Sequence, residues 1–310
     1  MTLKAPKRVS TAGHFELQID GHKTTAYLKS VDGGQVKIQV TEEAIGHHLQ
    51  KIKHGSVAEI EPITIDFGLA GAKDILKWIQ DSWRREYSRR NGQITHANFD
   101  LHPTQETEFF EGLIIETIFP ALDGNSKDAG YLKIKVQPER IVETEKPGTG
   151  PRISGTMSGK QKQWSLSSFR MHIEGIEEMK YVNHIDSFTI KQGFKKLYTG
   201  LDRFPQIEPT KIDFPNISGT IAQGYCQALN EWHKQANKVG TADPKVQKHG
   251  YIEFLGPDRK EVLFRVMLDE VGIVSLSTSP SSANSDQIKR SKFELYVGRM
   301  DLDSSGLGLE

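Results

Sequence analysis

The sequence repeats itself along its length, and this limits the possible folds more than any other feature. FELQIDG, from Phe15 to Gly21, returns as FRMHIEG, from Phe169 to Gly175. With the same spacing, AYLKSV (residues 26–31) returns as KYVNHI (180–185). A third pair, EPITIDF at 61–67 and EPTKIDF at 208–214, is displaced by seven residues relative to the first two. Three matches in one order predict a duplicated unit.

The region between the two copies differs from both in composition. KPGTGPRISGTMSGKQKQ, residues 146–163, is rich in Gly, Pro, Ser and Lys and nearly lacks apolar side chains. A segment of this kind buries too little surface to fold, which predicts an exposed, flexible linker. The predicted domains are therefore residues 13–145 and 164–303, joined by the linker 146–163.

Each copy is predicted to be rich in β-strands. Apolar and polar residues alternate in FELQI, AYLKSV, VKIQV and ITIDF, as is typical of half-buried strands. A hairpin and a last strand follow later in each copy, and the second hairpin has the turn sequence GPDRKE. The predicted fold class is β-rich α+β. It consists of two tandem antiparallel β-sandwich or barrel domains, each with one packed α-helix.

The helix in each copy is predicted from apolar residues at helical spacing. The first helix is expected to end at Asn91-Gly92, and the second to be capped by Ser218 and closed by Gly240. The predicted apolar stripes are Ile75, Leu76, Ile79, Trp83 and Tyr87 in the first helix and Ile221, Tyr225, Ala228, Leu229, Trp232 and Ala236 in the second.

Composition excludes several classes of protein. The only cysteine, Cys226, is predicted to be a partly buried thiol on the second helix, so no intrachain disulfide is possible. The formal net charge is zero, which favours neither nucleic acid nor anionic lipid. No apolar run approaches the ~20 residues of a membrane span, and the first residues lack the apolar core of a secretory signal. We expect synthesis in the cytoplasm without a signal peptide, no membrane segment and no sequence-specific nucleic-acid binding.

The order of these motifs resembles the tail-tube proteins of contractile phages and of phage-like injection systems. The resemblance rests on the F-x-L-x-I-D-G opening, the E-P-x-x-I-D-F strand before a Trp-containing helix, the hairpin FLGPDRKEVLFRV and a last strand after an Asn-Ser loop. It covers about residues 13–140 and 169–302. Tube proteins of this family usually have one domain. The family's trimeric hubs, which carry the spike, have two domains, with further inserted domains that are not evident here.

The resemblance implies a structural role. The chain is expected to self-associate into a ring of the inner tube or of the tube–baseplate junction, and the alternative is the trimeric hub. Exposed sheet edges would pair between neighbours, and closure of a ring would remove them. With two domains per chain, three copies could form one ring of six domains. Alternatively, six copies could form two stacked rings of six domains each. Expected partners are adjacent tube or hub proteins, and sheath and baseplate proteins, within a tail or injection particle.

Each copy also contains a long excursion after its first strands, at residues 41–59 and 192–208. The resemblance implies loops that stack on the neighbouring ring, whereas the simpler interpretation is an ordinary long hairpin. The candidate contact residues are Glu42, His47, His48, Lys51, Lys53, Lys195, Lys196 and Arg203.

Four arginines lie near the predicted end of the first helix. Cations there stabilise a helix by about 0.3–1 kcal/mol each, which is one explanation of their position. The other follows from the resemblance, because the helix of tail-tube proteins lies outside the tube and could contact an acidic surface of the sheath. The residues concerned are Arg84, Arg85, Arg89 and Arg90.

The sequence contains no recognisable catalytic motif. His47, His48 and His54 match no zinc spacing, and no nucleophile or phosphate-loop motif occurs. A tandem β-sandwich could also be a carbohydrate-binding protein or a glycosidase. Aromatic residues make up only 8% of the chain, however, and no carboxylate pair can be assigned to glycoside hydrolysis. The sequence favours a structural protein that is not an enzyme and binds no metal or cofactor.

Overall fold

The computed structural model describes residues 13–24, 26, 28–44, 51–69, 71–86, 89–154, 164–200, 204–240, 246–278 and 289–303. Within these residues the chain forms nineteen strands, all paired antiparallel, and two α-helices. The predicted β-rich class with one helix in each half is confirmed. The strands form a ten-stranded sheet, a seven-stranded sheet and a separate two-stranded hairpin.

The first half contains eleven strands and helix α1 among its described residues. Apolar side chains alternate along most of the sheet strands: in Ile63–Phe67, for example, every second residue is buried. The elements are β1 (His14–Ile19), β2 (His22–Lys23), β3 (Leu28–Asp32), β4 (Val36–Ala44), β5 (Lys51–Ile60), β6 (Ile63–Phe67), α1 (Lys73–Trp83), β7 (Arg90–Ala97), β8 (Pro103–Phe119), β9 (Leu122–Asp123), β10 (Leu132–Gln137) and β11 (Arg140–Glu145).

The second half follows the same plan. A short 3-10 helix at Glu177–Tyr181 packs against its first strand. The elements are β12 (Phe169–Ile173), β13 (Val182–Ile185), β14 (Phe188–Leu197), β15 (Gln206–Asp213), β16 (Ile217–Ala222), α2 (Gln227–Val239), β17 (Lys248–Leu255), β18 (Val262–Thr278) and β19 (Arg290–Asp303).

The two halves have the same strand order. In the first half the order is β1-β7-β8-β10-β6-β3, and in the second it is β12-β17-β18-β19-β16-β13. In both halves a hairpin precedes the helix, β4–β5 in the first and β14–β15 in the second. The duplication stays a prediction, and this shared order supports it.

A constant separation relates the first parts of the two halves and corrects one motif match. Ile63 and Ile217, where β6 and β16 begin, are as far apart in the sequence as Phe15 and Phe169. Helices α1 and α2 begin at the same separation, which we call the early offset. The counterpart of EPITIDF is therefore the strand that begins at Ile217. The predicted counterpart EPTKIDF was wrong, because β15, an arm of the hairpin, contains most of it.

Equivalent elements later in the two halves are separated by slightly more residues than the early offset. Their backbone irregularities are separated by the same larger number of residues. Strands β8 and β18 are both 17 residues long. We call the sequence separation between the first residue of β8 and the first residue of β18 the late offset. Glu111 and Glu270, which the late offset also relates, both have left-handed backbone conformations, with φ of 51° and 55°. The ladders to β10 and β19 skip one residue at Ile115 and at Val274, again related by the late offset. The two long strands therefore bend and bulge at equivalent positions.

Helix α1 is shorter than predicted. Its buried face contains Ile75, Leu76, Ile79 and Trp83, as expected, and also Trp78, which the predicted stripe left out. The helix ends at Trp83 rather than near Asn91-Gly92, because the chain reverses through Arg85 with φ of 59° and enters β7 at Arg90. Tyr87 lies outside the described residues.

Helix α2 begins later than predicted. Ser218 and Ile221 lie in strand β16, so Ser218 does not cap the helix, whose N-cap residue is Cys226. Tyr225 is exposed just before the helix and stacks on Tyr181, with ring centroids 4.1 Å apart. The buried face is Leu229, Trp232 and Ala236, and Gly240 closes the helix as predicted, with φ of 102°. The thiol of Cys226 is buried.

The predicted linker is only partly exposed. The amide of Ile153 donates to the Leu101 carbonyl at 2.8 Å, and the Ile153 side chain is buried. The amide of Ser154 donates to the buried Glu16 carboxylate at 2.9 Å. Of residues 146–154, only Ile153 is buried, and residues 147, 149, 151, 152 and 154 are exposed, so the predicted exposure holds for most of a segment that lies along the first half. The flexibility of the linker stays a prediction. Residues 155–163 lie outside the described part.

Candidate assembly interface

Strand pairing joins the two halves of the chain. Strand β14 of the second half pairs with the end of β8 in the first, with Ile118 opposite Thr189 and Thr117 opposite Ile190. A second, shorter ladder pairs β9 with β13, which places Leu122 opposite Ile185. The ten-stranded sheet therefore contains strands of both halves, as does the seven-stranded sheet. We call this contact the internal junction.

Aromatic side chains fill the centre of the internal junction. The rings of Phe119 and Phe188 stack with their centroids 4.6 Å apart. Phe119 also contacts Phe254 and Phe264 of the second half, at centroid distances of 5.7 and 6.4 Å. Trp83 meets Phe214 edge to face at 6.5 Å. One hydrophobic core thus continues from the first half into the second.

Polar contacts join helix α1 to β19 of the second half. The side-chain amide of Gln80 donates to the Leu302 carbonyl at 2.5 Å. The guanidinium of Arg84 donates to both carboxylate oxygens of Asp301, with Nε–Oδ1 at 3.1 Å and Nη2–Oδ2 at 2.8 Å. The hydrogen bonds to Asp301 raise the pKa of Arg84. The bidentate geometry fixes the orientation of both side chains.

Arg89 and Glu139 of the first half hold the backbone of hairpin β14–β15. Arg89 donates to the Ile207 carbonyl and to the Glu139 carboxylate, the latter at 3.2 Å. The same carboxylate accepts the Ile207 amide at 2.7 Å. Both backbone groups of Ile207 are thereby satisfied by one ion pair, and the Ile207 side chain is buried. We call this set the Ile207 clamp.

The family match concerns the first half of the chain. Residues 11–142 match the family described as T4-like virus tail tube protein gp19. This part of the chain is similar to the tail-tube proteins of that family. It includes β1 to β10, α1 and the start of β11, and thus the whole first-half side of the internal junction. The match supports a structural role for the protein in a tail. Comparison of the sequence with functionally characterised proteins finds no match.

Several solved structures resemble part of the chain. A chain in the sheath–tube complex of an extracellular contractile injection system (PVC) is 16% identical, with 46% of this chain and 95% of that chain covered and a TM-score of 0.39. The anti-feeding prophage tube-terminating cap is 14% identical, with 46% and 95% covered and a TM-score of 0.41. Hcp1 from Flavobacterium johnsoniae is 13% identical, with 44% and 94% covered and a TM-score of 0.27.

Three of the four arginines proposed to face a sheath are paired within the chain. Arg84 binds Asp301, Arg89 belongs to the Ile207 clamp, and Arg90 bridges Asp20 and Asp81 at 2.8 and 2.9 Å. Arg89 and Arg90 follow the end of α1, so stabilisation of the helix terminus was the wrong explanation for these two. Arg85 is exposed and has no ion pair with another described residue. Contact with a sheath stays a prediction.

Those predicted stacking residues that the structure describes lie on the hairpins β4–β5 and β14–β15. Glu42 binds Lys53 at 2.8 Å and Lys51 at 3.1 Å, and these two lysines lower the pKa of Glu42. Lys196 binds Glu59 of the other hairpin at 2.7 Å and lowers the pKa of Glu59. Lys195 is exposed, while His47, His48 and Arg203 lie outside the described residues. Stacking between rings stays a prediction.

Sequence reasoning missed the residues of the internal junction. In the sequence, Phe119 and Phe188 are ordinary strand residues, and no local pattern indicates that their rings stack. Nor did the sequence reading pair Arg84 with Asp301 or Arg89 with Glu139. In the part of the chain that the structure describes, no three His, Cys, Asp or Glu side chains are grouped as a metal site requires. Neither helix described there is long and apolar enough to cross a membrane.

Proposed function

We propose that the protein forms a ring of the inner tube, or of the tube–baseplate junction, in a phage tail or contractile injection system. Each chain would contribute two neighbouring units, and three chains would close a ring of six. The observation that supports this is the β8–β14 ladder, which holds the two halves side by side by backbone hydrogen bonds. The second half has the same strand order as the first half, whose residues 11–142 match the tail-tube family.

The ladder favours lateral over stacked placement of the two halves. In stacked rings, the first half of one chain would pair with the first halves of other chains, and the second half with second halves. No strand pairing would then join a first half to a second half. Here unlike halves share two ladders, a core centred on Phe119 and Phe188, and the Ile207 clamp. Breaking these contacts within the chain would leave sheet edges and apolar surface exposed to water, which is unfavourable.

Ring closure gives the arrangement its function. A head-to-tail contact that closes on itself pairs the sheet edges that meet between neighbouring copies and leaves a central lumen. In such a ring the protein acts as a structural wall rather than as an enzyme. Its partners would be further copies of itself above all, followed by the tube, hub, sheath or baseplate proteins above, below and around the ring.

Negative-stain microscopy of the purified full chain tests this function. We expect closed rings with six lobes and an open centre, which become more abundant as the protein concentration rises. Sedimentation velocity on the same samples measures the population of rings in solution. A chain that stays monomeric at high concentration would contradict the proposal, as would closed rings with twelve lobes, which would contain six chains.

A further inference from the structure

Among the described residues, the end of β8 pairs with β14 at the internal junction, whereas the equivalent end of β18 and the start of β4 have no such partner. We propose that the start of β4 in one copy pairs antiparallel with the end of β18 in the next copy, residues 35–37 against residues 275–277. The proposal rests on the proposed ring function and specifies the surfaces that close the ring. The partner is a second copy of this chain, bound head to tail.

The pairing follows from the two offsets that relate the halves. In the internal junction, Ile118 of β8 lies opposite Thr189 of β14. By the late offset, the counterpart of Ile118 is Ser277, near the end of β18. By the early offset, the counterpart of Thr189 is Gln35, directly before β4. The equivalent pair between copies is therefore Gln35 and Ser277.

The neighbouring rungs of the proposed ladder follow in antiparallel order. Val36 of one copy lies opposite Leu276 of the next, and Lys37 lies opposite Ser275. These two pairs correspond to Ile190 with Thr117 and to Lys191 with Glu116 in the internal junction.

Hairpin registers show that the early offset holds locally. Lys37 lies opposite Glu59 in the first hairpin, and Lys191 lies opposite Asp213 in the second. The early offset relates Lys37 to Lys191 and also Glu59 to Asp213. Both ladders then skip a residue at the same relative position, after Ile38 and after Gln192. The hairpin β4–β5 is thus built like β14–β15, which already docks on a β8-type strand.

Burial differs sharply between equivalent residues of the two hairpins. Ile190 in β14 exposes 2% of its surface because the first half covers it. Its counterpart Val36 in β4 exposes 47%, and Ile38 on the same face exposes 51%. Alternating apolar residues on an exposed strand indicate a surface that is covered in the assembly. The internal junction shows what covers such a surface, namely the end of a β8-type strand and the helix above it.

The opposite end of the chain presents a matching apolar surface. Ile190 packs in a crevice lined by Trp83, Ile114 and Ile115 beneath α1. The corresponding part of the second half lies where β18 ends beneath α2. Val274, the counterpart of Ile115, exposes 44% of its surface there, and Val239 at the end of α2 exposes 56%. Val36 and Ile38 of one copy would cover these two valines of the next.

Free backbone edges complete the match. Strand β8 at residues 116–118 pairs with β10 on one side and β14 on the other. Within the described residues, the equivalent part of β18 pairs with β19 alone, and β4 pairs with β5 alone. In the described part of the chain, the end of β18 and the start of β4 therefore each have one row of amides and carbonyls without a strand partner. Such edges pair with another strand unless something blocks them, and like charges do not oppose each other in the proposed register.

The junction between copies differs from the internal one in a way that predicts its strength. The stacked pair Phe119 and Phe188 corresponds to Thr278 and Gly34, so the aromatic centre is missing between copies. The Ile207 clamp is also absent there, because the counterpart of Glu139 is Gly298. The junction between copies is therefore the weaker one, and a ring should open between chains and not within them.

Cysteine cross-linking tests the pairing. Directly opposed residues on antiparallel strands lie close enough for a disulfide or a short thiol cross-linker. The full chain carrying both Gln35→Cys and Ser277→Cys is treated with a short bis-maleimide, and the products are separated under denaturing conditions. We expect a ladder that stops at three chains. The pair Lys37→Cys and Ser275→Cys, two rungs along the same ladder, should give the same result. The native Cys226 is buried and serves as the background.

The single-cysteine variants are the matched controls. In a head-to-tail contact each single variant alone should stay uncross-linked, so a cross-linked dimer of Gln35→Cys would indicate a head-to-head contact and overturn the inference. If microscopy shows rings while neither cysteine pair cross-links, the inference fails and the proposed ring stands. If the variants fold but show neither rings nor cross-links, and the parent chain also stays monomeric, both fail. Circular dichroism of each variant verifies folding.

Discussion

Phe119 in β8 stacks on Phe188 in β14, with ring centroids 4.6 Å apart and ring planes inclined by 8°. The two residues belong to different halves of the chain, and both are buried. Their contact converts two similar units into one cooperative structure with a single core. It also fixes which edge of the second half faces the first, and the proposed ring depends on this orientation.

Replacing Phe188 by alanine should strongly destabilise the chain. Truncation of a buried phenylalanine typically costs about 3–5 kcal/mol, because contacts are lost and a cavity remains. Urea unfolding followed by circular dichroism measures the change in the free energy of unfolding. Phe99→Ala is the matched control, since Phe99 exposes 72% of its surface and should change stability by less than about 0.5 kcal/mol. Equal effects of the two substitutions would show that the stack contributes little.

The Ile207 clamp predicts different effects for two neighbouring arginines. Arg89→Ala leaves the Glu139 carboxylate and the Ile207 carbonyl without their guanidinium partner, at a cost of about 1–3 kcal/mol. Arg85→Ala removes an exposed side chain and should cost less than about 0.5 kcal/mol. Urea midpoints of the two variants measure this difference. An Arg89 variant as stable as the parent would mean that the clamp does not stabilise the contact between the halves.

Arg85 allows a clean test of the predicted sheath contact. If the exposed guanidinium faces an acidic surface of a sheath, Arg85→Glu should weaken sheath binding while folding and ring formation stay unchanged. Raised salt should weaken the binding of the parent in the same direction, because exposed charge pairs are screened. Co-sedimentation of rings with purified sheath protein measures the binding. Unchanged co-sedimentation of the variant would remove Arg85 from that interface.

His96 should make stability depend on pH. Burial lowers its pKa from the ordinary value of about 6.5, and Glu143 opposes this shift only in part. Because the folded state resists protonation of His96, the unfolded state binds more protons as the pH falls below about 6.5. The free energy of unfolding should therefore decrease as the pH falls from 7.5 toward the folded-state pKa.

The variant His96→Gln cannot bind this proton and should show a flatter dependence. Urea unfolding of the parent and the variant at pH 7.5 and 5.5 compares the two slopes. Equal slopes would show that another group causes the pH response.

The sequence allowed the class of fold and much of the local structure to be predicted. Alternating residues identified β6, and GPDRKE identified the turn between β17 and β18. These features depend on neighbours in the chain, which periodicity and turn chemistry report directly. The end of α1 was wrong because the left-handed backbone at Arg85 is adopted by a residue type that does not favour it.

The junction could not be predicted, because it depends on residues far apart in the sequence. Ile118 and Thr189 lie opposite each other across an intervening segment that includes β9 to β13. No local pattern indicates such pairing. The constant early offset was the available signal, and the mistaken match of EPTKIDF concealed it, since that match places a hairpin arm where a sheet strand belongs.

Native mass spectrometry of assembled rings tests the central claim most directly, because it counts chains. If each chain supplies two neighbouring units, a ring of six units has a mass of three chains of 34.8 kDa each. A closed ring of six chains would contradict the side-by-side placement of the two halves and the ring proposed from it.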